Sequence, residues 1–455
     1  MILGSTFLET MPQLLPVRKD AVAAIASRGV PEAAQQKIKS AVHKELIDRL
    51  DLERLSELNE TRSGQQQLFN MIHRLLAEQG VPLSVSERDK LTQEIVNEVF
   101  GLGPIEPLLN DPSVSDILVN TYHSVYVERR GLLEKTDIVF KDNRHLMQII
   151  EKIVSAVGRR VDESSPMVDA RLADGSRVNV IIPPLAIDGP ILSIRRFGST
   201  PLRAEDLLRS QMLTRPMLDL LQRAVEARLN IVVSGGTGAG KTTLLNVLSG
   251  FISQRERIVT IEDSAELMMK QEHVVRLETR PPNMEGQGAV RQRELMINAL
   301  RMRPDRIVLG EVRGEETLDM LQAMNTGHDG SLTTIHSNSP RDALARMETM
   351  TMMGDIQLPQ KAIRAQIASA IQLIVQVARI SDGTRRITHI TEITGTTGDV
   401  ISMNDLFLFE RKGLSPHGKV LGRFYSTGIL PRFCEKLQTA GIPLPVGLLD
   451  HSVEV

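Results

Sequence analysis

Residues 235–242 have the types and spacing of a phosphate-binding loop, Gly-Gly-Thr-Gly-Ala-Gly-Lys-Thr, and an apolar run at 231–234 precedes them. Glycines let a backbone wrap around phosphate groups, and successive N–H groups with the following helix N-terminus supply positive potential. Lys241 adds a formal charge at the β- and γ-phosphates, and Thr242 offers its hydroxyl to Mg²⁺. The pattern predicts binding of ATP and Mg²⁺ by Gly235, Gly236, Thr237, Gly238, Ala239, Gly240, Lys241, Thr242 and Thr243.

A second motif ends an apolar run with a carboxylate. Residues 306–313 spell RIVLGEVR, with Glu311 at the end of the strand-like stretch. A carboxylate in that position reaches Mg²⁺ or its water ligands in a Walker B element. The chain between Lys241 and Glu311 leaves room for an intervening strand and helix. We therefore predict Thr242 and Glu311 as the magnesium-binding pair.

A third group is acidic and follows the strand-like run 258–261. It contains Glu262, Asp263 and Glu266. Because the carboxyl ends of parallel strands face the ligand crevice, these side chains are expected near the γ-phosphate, where one of them could orient the attacking water. The alternative is a solvated acidic turn.

Two histidines, His328 and His336, bracket the strand-like run 331–335. A single histidine would more often be structural. Two that lie beside one crevice would act as sensors of the γ-phosphate, hydrogen-bonding to it or to a neighbouring carboxylate.

The elements that must position these residues alternate between strand and helix from residue 230 onward. Such alternation predicts a parallel sheet with helices on both faces. The predicted strands are 231–234, 258–261, 306–309 and 331–335, and the predicted helices are 241–252, 289–302 and 316–325. Two further strand-like runs, 371–378 and 386–394, complete the pattern.

The preceding sequence divides into shorter units. Residues 1–30 show weak periodicity and are expected to form a flexible tail. Over 31–100 apolar residues recur at helical spacing, as in Ile38, Val42 and Leu46, which predicts a three-helix bundle with Ser84 or Ser86 capping the third helix. Residues 101–200 hold short strand-like runs around a helix at 145–157, the pattern of a small mixed α/β domain. A linker at 201–214 then leads into an ATPase domain over 215–455.

Composition excludes several classes of protein. The 455 residues carry a net charge of −2, and aromatic residues make up 3%. Both values argue against nucleic acid as a partner, because binding it relies on basic surfaces and aromatic stacking. The one cysteine, Cys434, excludes a disulfide framework within the chain and is expected to be a free thiol. No apolar run is long enough to span a membrane, which predicts a cytoplasmic protein.

Taken together, these motifs resemble a known family. The phosphate loop, IEDSAE (261–266), RPDRIVLGEVRGEE (303–316) and TGHDGSLTTIHS (326–337) occur in the order found in bacterial type II/type IV secretion ATPases. Those proteins are ring motors of secretion machines and pili. GLGPIEPLL (101–109), DARLADGSRVNVIIPP (169–184), SIRRF (193–197) and TGILPRF (427–433) are most similar to the Tad (tight adherence, Flp-pilus) branch, the CpaF/TadA type.

The resemblance implies a RecA-like P-loop domain, a hexameric ring, and inner-membrane platform proteins of a pilus as partners at the inner face of the cytoplasmic membrane. It implies that Glu266 activates water, that Glu311 is the Walker B acid, and that His328 and His336 form a histidine box. The family also uses arginines of its N-terminal domain to reach the nucleotide at subunit boundaries. The arginines that match that region are Arg171, Arg177, Arg195 and Arg196.

Two alternatives stay open at this point. A nucleic-acid translocase could be built on the same core, although charge and composition disfavour it. A nucleotide-gated scaffold could bind ATP without turnover. Against the scaffold, Lys241, Glu266, Glu311 and both histidines are all present, whereas an inactive descendant is expected to have lost at least one.

Overall fold

The computed structural model describes residues 62–455 except 80–82, 130, 198–201, 283–285 and 355–357, together with 38–39, 41–42 and 45–46. The predicted tail at 1–30 lies outside the described residues. None of the described helices combines the length and the apolar character that crossing a membrane requires.

The first described helices are α1 (Arg62–Glu78) and α2 (Val85–Val99). Ser84 caps α2 through a reciprocal pair of bonds with Glu87, one of the two caps that the sequence predicts. Leu68, Ile72 and Leu91 of these helices are buried in one cluster with Ile38, Val42 and Leu46. Apolar residues from all three predicted helical stretches therefore share one core.

The next unit is a six-stranded antiparallel sheet in the order β3-β2-β1-β6-β5-β4. A short helix, α3 (Glu106–Asn110), leads into it, and α4 (Asn143–Ala156) covers one face. Apolar side chains alternate with polar ones, so that Val178 and Val180 face the core under α4 while Arg177 and Asn179 project from the other face. The strands are β1 (Val114–Thr121), β2 (Ser124–Arg129), β3 (Leu132–Lys135), β4 (Met167–Arg171), β5 (Arg177–Ile181) and β6 (Ile191–Arg195).

The predicted parallel sheet is present in the order β12-β7-β11-β10-β8-β9. Val232 of β7 lies in the core on one side of the sheet, whereas Ile231 and Val233 lie in the core on the other. Such a strand is buried on both faces, which explains its continuous apolar run. The strands are β7 (Ile231–Gly235), β8 (Ile258–Glu262), β9 (Val274–Glu278), β10 (Arg306–Val312), β11 (Leu332–Ile335) and β12 (Leu373–Arg379).

Helices cover both faces of this sheet, which confirms the expected RecA-like arrangement. The segment 201–214, predicted as a linker, contains one of these helices, whose Leu207 is buried in the core of the sheet. The helices are α5 (Ala204–Arg209), α6 (Arg215–Glu226), α7 (Lys241–Ser249), α8 (Gln292–Ala299), α9 (Glu316–Asn325), α10 (Pro340–Thr351), α11 (Gln360–Ala370) and α12 (Cys434–Thr439).

Beyond β12 the sheet continues as an antiparallel extension that brings it to ten strands. The sequence predicts only the first added strand, because the later ones mix polar and apolar residues and bury only part of their length, as at Leu406, Phe407 and Phe424. The added strands are β13 (Arg385–Thr397), β14 (Val400–Leu414), β15 (Val420–Ser426) and β16 (Ser452–Glu454).

Candidate active site

The phosphate loop connects β7 to α7 at the carboxyl end of the parallel strands. Gly238 and Gly240 have φ values of +68° and +97°, a backbone region that glycine enters at little cost. Gly240 also occupies the N-cap position of α7, which begins at Lys241. A Cβ at Gly235 would lie 2.4 Å from the carbonyl oxygen of Val377, so the close approach of β12 requires glycine there. The loop thus presents backbone N–H groups and a helix N-terminus to one cavity.

Lys241 and Glu311 come together in this cavity. Lys241 Nζ lies 3.7 Å from Glu311 Oε1, and the other carboxylate oxygen accepts a hydrogen bond of 2.7 Å from Arg313. Burial by itself would raise the pKa of Glu311, but the bond from Arg313 and the charge of Lys241 outweigh it and hold this pKa below its usual value. Glu311 is therefore a carboxylate at neutral pH.

Burial has the opposite consequence for Lys241, whose pKa it lowers despite the attraction of Glu311. The free energy cost of keeping this ammonium charged falls when an anion arrives. The pair is suited to receive the negative charge of phosphate groups.

The acidic loop after β8 is folded around Glu262. Its side chain is buried, and Oε2 accepts the N–H groups of Glu266 and Leu267 at 2.7 and 2.8 Å. Burial raises the pKa of Glu262. Asp263 lies 3.4 Å from the guanidinium of Arg313, and Glu266 lines the cavity that the phosphate loop faces. The carboxylates predicted near the γ-phosphate thus border the cavity, with Glu262 fixing the turn that positions Glu266.

Three of the four predicted arginines form a row across the polar face of the six-stranded sheet. Arg171 is paired in register with Arg177, Arg177 with Arg195, and Arg195 with Asp116. Like charges directly opposite each other destabilise a sheet. The row is therefore stabilised by anionic groups that face it.

The arginines of the row differ in what they contact. Arg171 lies 3.2 Å from Glu278 and donates to the carbonyl of Ala265 at 2.7 Å. Arg177 lies 3.1 Å from Glu266 and donates to the carbonyl of Ser264. Two side chains of the small domain, Arg171 and Arg177, thus bind the acidic loop of the ATPase domain.

Arg195 has no ion-pair partner among the residues that the structure describes. It is exposed, lines the cavity and lies close enough to Lys241 for its charge to lower the pKa of that lysine. Arg196, which follows it, instead donates to the carbonyl oxygens of Asp111 and Val114. Arg195 is thus the member of the set that is free to bind phosphate.

The structure does not bring the two histidines together. His336 follows β11 at its carboxyl end and lines the cavity, where burial and the charge of Lys241 lower its pKa. His328 precedes β11 at the opposite end, with its carbonyl accepting a bond from Ser331, and it is not among the cavity-lining residues. The length of β11 therefore separates the two side chains, and of the two only His336 lies where the sequence analysis expects it.

Two arginines that contact predicted site residues were not themselves predicted. Arg313, which directly follows β10, bonds Glu311; residues two positions apart in an extended chain lie on the same side, and this spacing is the sequence signal for the pair. Arg385, from β13, donates to the carbonyl of Gly238 in the phosphate loop at 2.9 Å. Nothing in its local sequence indicates that contact.

The cavity has a volume of about 770 Å³. It is bordered by the phosphate loop, the acidic loop, the end of β10, and Arg177 and Arg195 of the small domain. No cluster of three or more acidic, histidine or cysteine side chains that could bind a metal occurs among the described residues. The hydroxyl of Thr242 and a carboxylate oxygen of Glu311 are nevertheless hard oxygen donors that suit Mg²⁺, which is usually bound through one or two protein ligands and the substrate phosphates.

Comparison with known proteins places this site in context. The family model described as "Type II/IV secretion system protein" matches residues 98–406. A protein of Mycobacterium tuberculosis named for conjugal transfer is 40% identical over 309 residues, which are 67% of this chain and 87% of that protein. The type IV secretion system protein PtlH of Bordetella pertussis is 35% identical over 314 residues, 63% of this chain and 92% of PtlH. The VirB11 ATPase structure from Brucella suis is 29% identical, covers 65% of this chain and 97% of VirB11, and has a TM-score of 0.35.

Proposed function

Because the chain belongs to the type II/IV secretion system protein family, we propose that it is an ATP-hydrolysing motor that powers assembly or retraction of a Tad/Flp-type pilus. The observation that carries the proposal is the convergence of Lys241, Glu311, Glu266 and Arg195 on one cavity beside a phosphate loop. Nucleotide binding accounts for Lys241 and Glu311, but a site that only bound nucleotide would not need Glu266 to orient a water molecule. The Tad assignment is supported by the segments at 101–109, 169–184, 193–197 and 427–433.

In this proposal each residue has a separate task. The loop amides and Lys241 bind the β- and γ-phosphates, and Glu266 orients the attacking water as it accepts a proton. Arg195 stabilises the negative charge that develops on the γ-phosphate oxygens. Thr242 and Glu311 would hold Mg²⁺, which, when bound, neutralises phosphate charge.

We further propose that the chain acts as a hexameric ring in the cytoplasm, attached to inner-membrane platform proteins. The helical core around Leu68, the small-domain core around Val178 and the cores of the large sheet are separate hydrophobic clusters, which supports division near residue 100 and around 201–214. Movement of the small domain against the ATPase domain would transmit the cycle of binding and hydrolysis to the platform.

The experiment that tests the motor is ATPase activity of the purified protein across a concentration range, with molecular mass measured by light scattering. We expect turnover that rises as a particle of about six chains forms, and that is lost in Lys241→Ala and Glu311→Gln. A ring that binds ATP and never turns it over would contradict the motor and favour the scaffold.

A second candidate is a motor for type IV secretion or conjugal transfer, favoured by the names of the relatives from Mycobacterium tuberculosis and Bordetella pertussis. The two candidates differ in the native host. Deletion that removes surface fibres and leaves protein and DNA export intact supports the pilus motor, whereas the reverse supports the second candidate.

A further inference from the structure

A single carboxylate of the small domain, Glu128, lies against two arginines of the ATPase domain. Arg379, the last residue of β12, donates to Glu128 Oε2 at 3.1 Å, and Arg385, the first residue of β13, lies 3.9 Å from Oε1. The Glu128 side chain is only 14% exposed and also accepts a bond from the hydroxyl of Ser115. Glu128 therefore joins β2 of the small sheet to both strands of the β12–β13 hairpin.

The tip of this hairpin also touches the turn between β2 and β3. A Cβ at Gly131 would lie 2.9 Å from the carbonyl oxygen of Gly383, and Gly131 has a φ of +83°. A side chain would separate the two turns. The hairpin is thus in contact with the small domain both at its tip and through Glu128.

On the other side, the hairpin contacts the phosphate loop. Arg385 Nε donates to the carbonyl of Gly238 at 2.9 Å, and its Cδ lies 3.2 Å from the place where a Cβ of Gly240 would be. In a trans peptide the C=O and the following N–H point in opposite directions. The Gly238 carbonyl bound by Arg385 belongs to the same peptide as the N–H of Ala239, which donates to the carbonyl of Gly236 at 3.3 Å, so Arg385 holds a peptide that closes a turn within the phosphate loop.

We propose that Glu128, through Arg385, is a positioning residue that makes the conformation of the phosphate loop depend on the place of the small domain. The inference rests on the proposed function in that the loop binds ATP. When the small domain is docked, Glu128 holds the arginine pair and the loop is preorganised for phosphates. When the small domain moves away, Arg385 is released and the loop loosens. Coupling of this kind is reciprocal, so nucleotide binding favours the docked domain by the same factor.

The electrostatics of the hairpin are consistent with this arrangement. Burial lowers the pKa of Arg385; Glu128 opposes that effect, whereas Arg379 and Arg195 add to it. Three guanidinium groups near one another are unfavourable unless a carboxylate lies among them. Removal of the Glu128 charge therefore weakens the hold on both arginines of the hairpin, Arg385 included.

The test compares Glu128→Gln with Glu134→Gln, a matched control on the neighbouring strand β3 whose carboxylate is more exposed and lies near Arg129 within the small domain. The first measurement is hydrogen exchange of the amides of residues 236–241 in the full chain without nucleotide. We expect faster exchange in Glu128→Gln and the wild-type rate in Glu134→Gln. Unchanged exchange in Glu128→Gln overturns the link.

The second measurement is the ATPase rate as a function of ATP concentration. Glu128→Gln is expected to raise KM for ATP about two- to fivefold, the ratio typical of one partly exposed ion pair, while kcat changes less than twofold. Arg385→Lys keeps the charge but cannot reproduce the Nε–H bond, so the double variant should resemble Arg385→Lys alone. Independent, multiplying effects would overturn the proposal.

Failure of the two proposals can be told apart. A wild-type protein that neither binds nor hydrolyses ATP contradicts the motor, whereas the exchange experiment needs no nucleotide and still decides whether Glu128 controls the loop.

Discussion

The ammonium group of Lys241 lies 3.7 Å from a carboxylate oxygen of Glu311, and the guanidinium of Arg313 bonds the other oxygen of the same carboxylate. One acid thus balances two cations at the carboxyl ends of β7 and β10. Because these strands are separated by β11, the contact depends on the whole parallel sheet rather than on any short segment.

Glu311→Gln should abolish turnover while preserving ATP binding. The change keeps the size of the side chain and removes the charge that balances Lys241 and that would hold Mg²⁺ in the proposed function, so a loss of at least about 10²-fold in kcat is expected. Steady-state ATPase rates and binding of a fluorescent ATP analogue measure the two effects. Retained ATPase activity would exclude a role of Glu311 in hydrolysis. The control is Glu315→Gln, four residues later in the sequence, where the carboxylate pairs with Arg293.

Arg195→Ala should affect catalysis and Arg196→Ala should affect stability, although the two residues are adjacent. The free guanidinium of Arg195 is expected to stabilise the charge of the transition state. Its loss should therefore lower kcat about 10³-fold or more, with little change in thermal stability. Arg196 holds the carbonyls of Asp111 and Val114, and its loss should lower the free energy of unfolding by about 1–3 kcal/mol. Thermal unfolding and single-turnover rates distinguish them; equal kcat values for the two variants would contradict the assignment.

Gly235→Ala should destabilise the fold, and Gly236→Ala should not. A Cβ at Gly235 would lie 2.4 Å from the backbone of Val377, whereas one at Gly236 has no atom within 4 Å. Since the backbone of β12 must shift, a loss of about 1–3 kcal/mol is expected for Gly235→Ala. Denaturant unfolding of both variants provides the measurement. Equal midpoints would show that the backbone of β12 shifts without loss of stability, which would contradict the prediction.

His336→Gln should reduce the loss of folding stability that the wild-type protein shows as the pH falls. Burial and Lys241 lower the pKa of His336 in the folded protein, whereas the unfolded chain titrates near 6.5. Below about pH 6.5 the unfolded state binds the proton more readily, so the wild type loses stability as the pH falls towards the folded pKa.

The measurement is the thermal midpoint of wild type and His336→Gln at several pH values between 5 and 8. His389, whose pKa burial also lowers, is present in both proteins, so the difference isolates His336. A difference that does not vary with pH would contradict the prediction.

The elements that the sequence predicts best are those with continuous burial. The strand before Gly235 and the helix after Lys241 follow from an apolar run and a glycine-rich turn, and the structure contains both. The edge strand β9 and strands β14 to β16 were not predicted, because partly exposed strands carry no strict alternation. Helices α10 and α11 were missed as well, although Ser339 caps α10 in the ordinary way.

In the site, motif residues close together in sequence could be placed, and contacts between distant segments could not. Glu266 and Glu311 border the cavity as their positions after β8 and within β10 suggested. The bond from Arg385 to Gly238 joins residues 147 positions apart in the sequence, so no local pattern indicates it. At His328 the difference is the opposite one. This residue is close to His336 in the sequence, but the structure places it at the other end of β11.

The acidic loop at 262–267 belongs to the ATPase domain, yet Arg171 and Arg177 of the small domain hold its carbonyls and Glu266. A displacement of the small domain by the length of one hydrogen bond would break these contacts and release Glu266, the carboxylate that we propose to orient the attacking water. In the proposed motor, hydrolysis would therefore be restricted to the part of each cycle in which the two domains are closed, and a subunit that has opened would not hydrolyse ATP until it closes again.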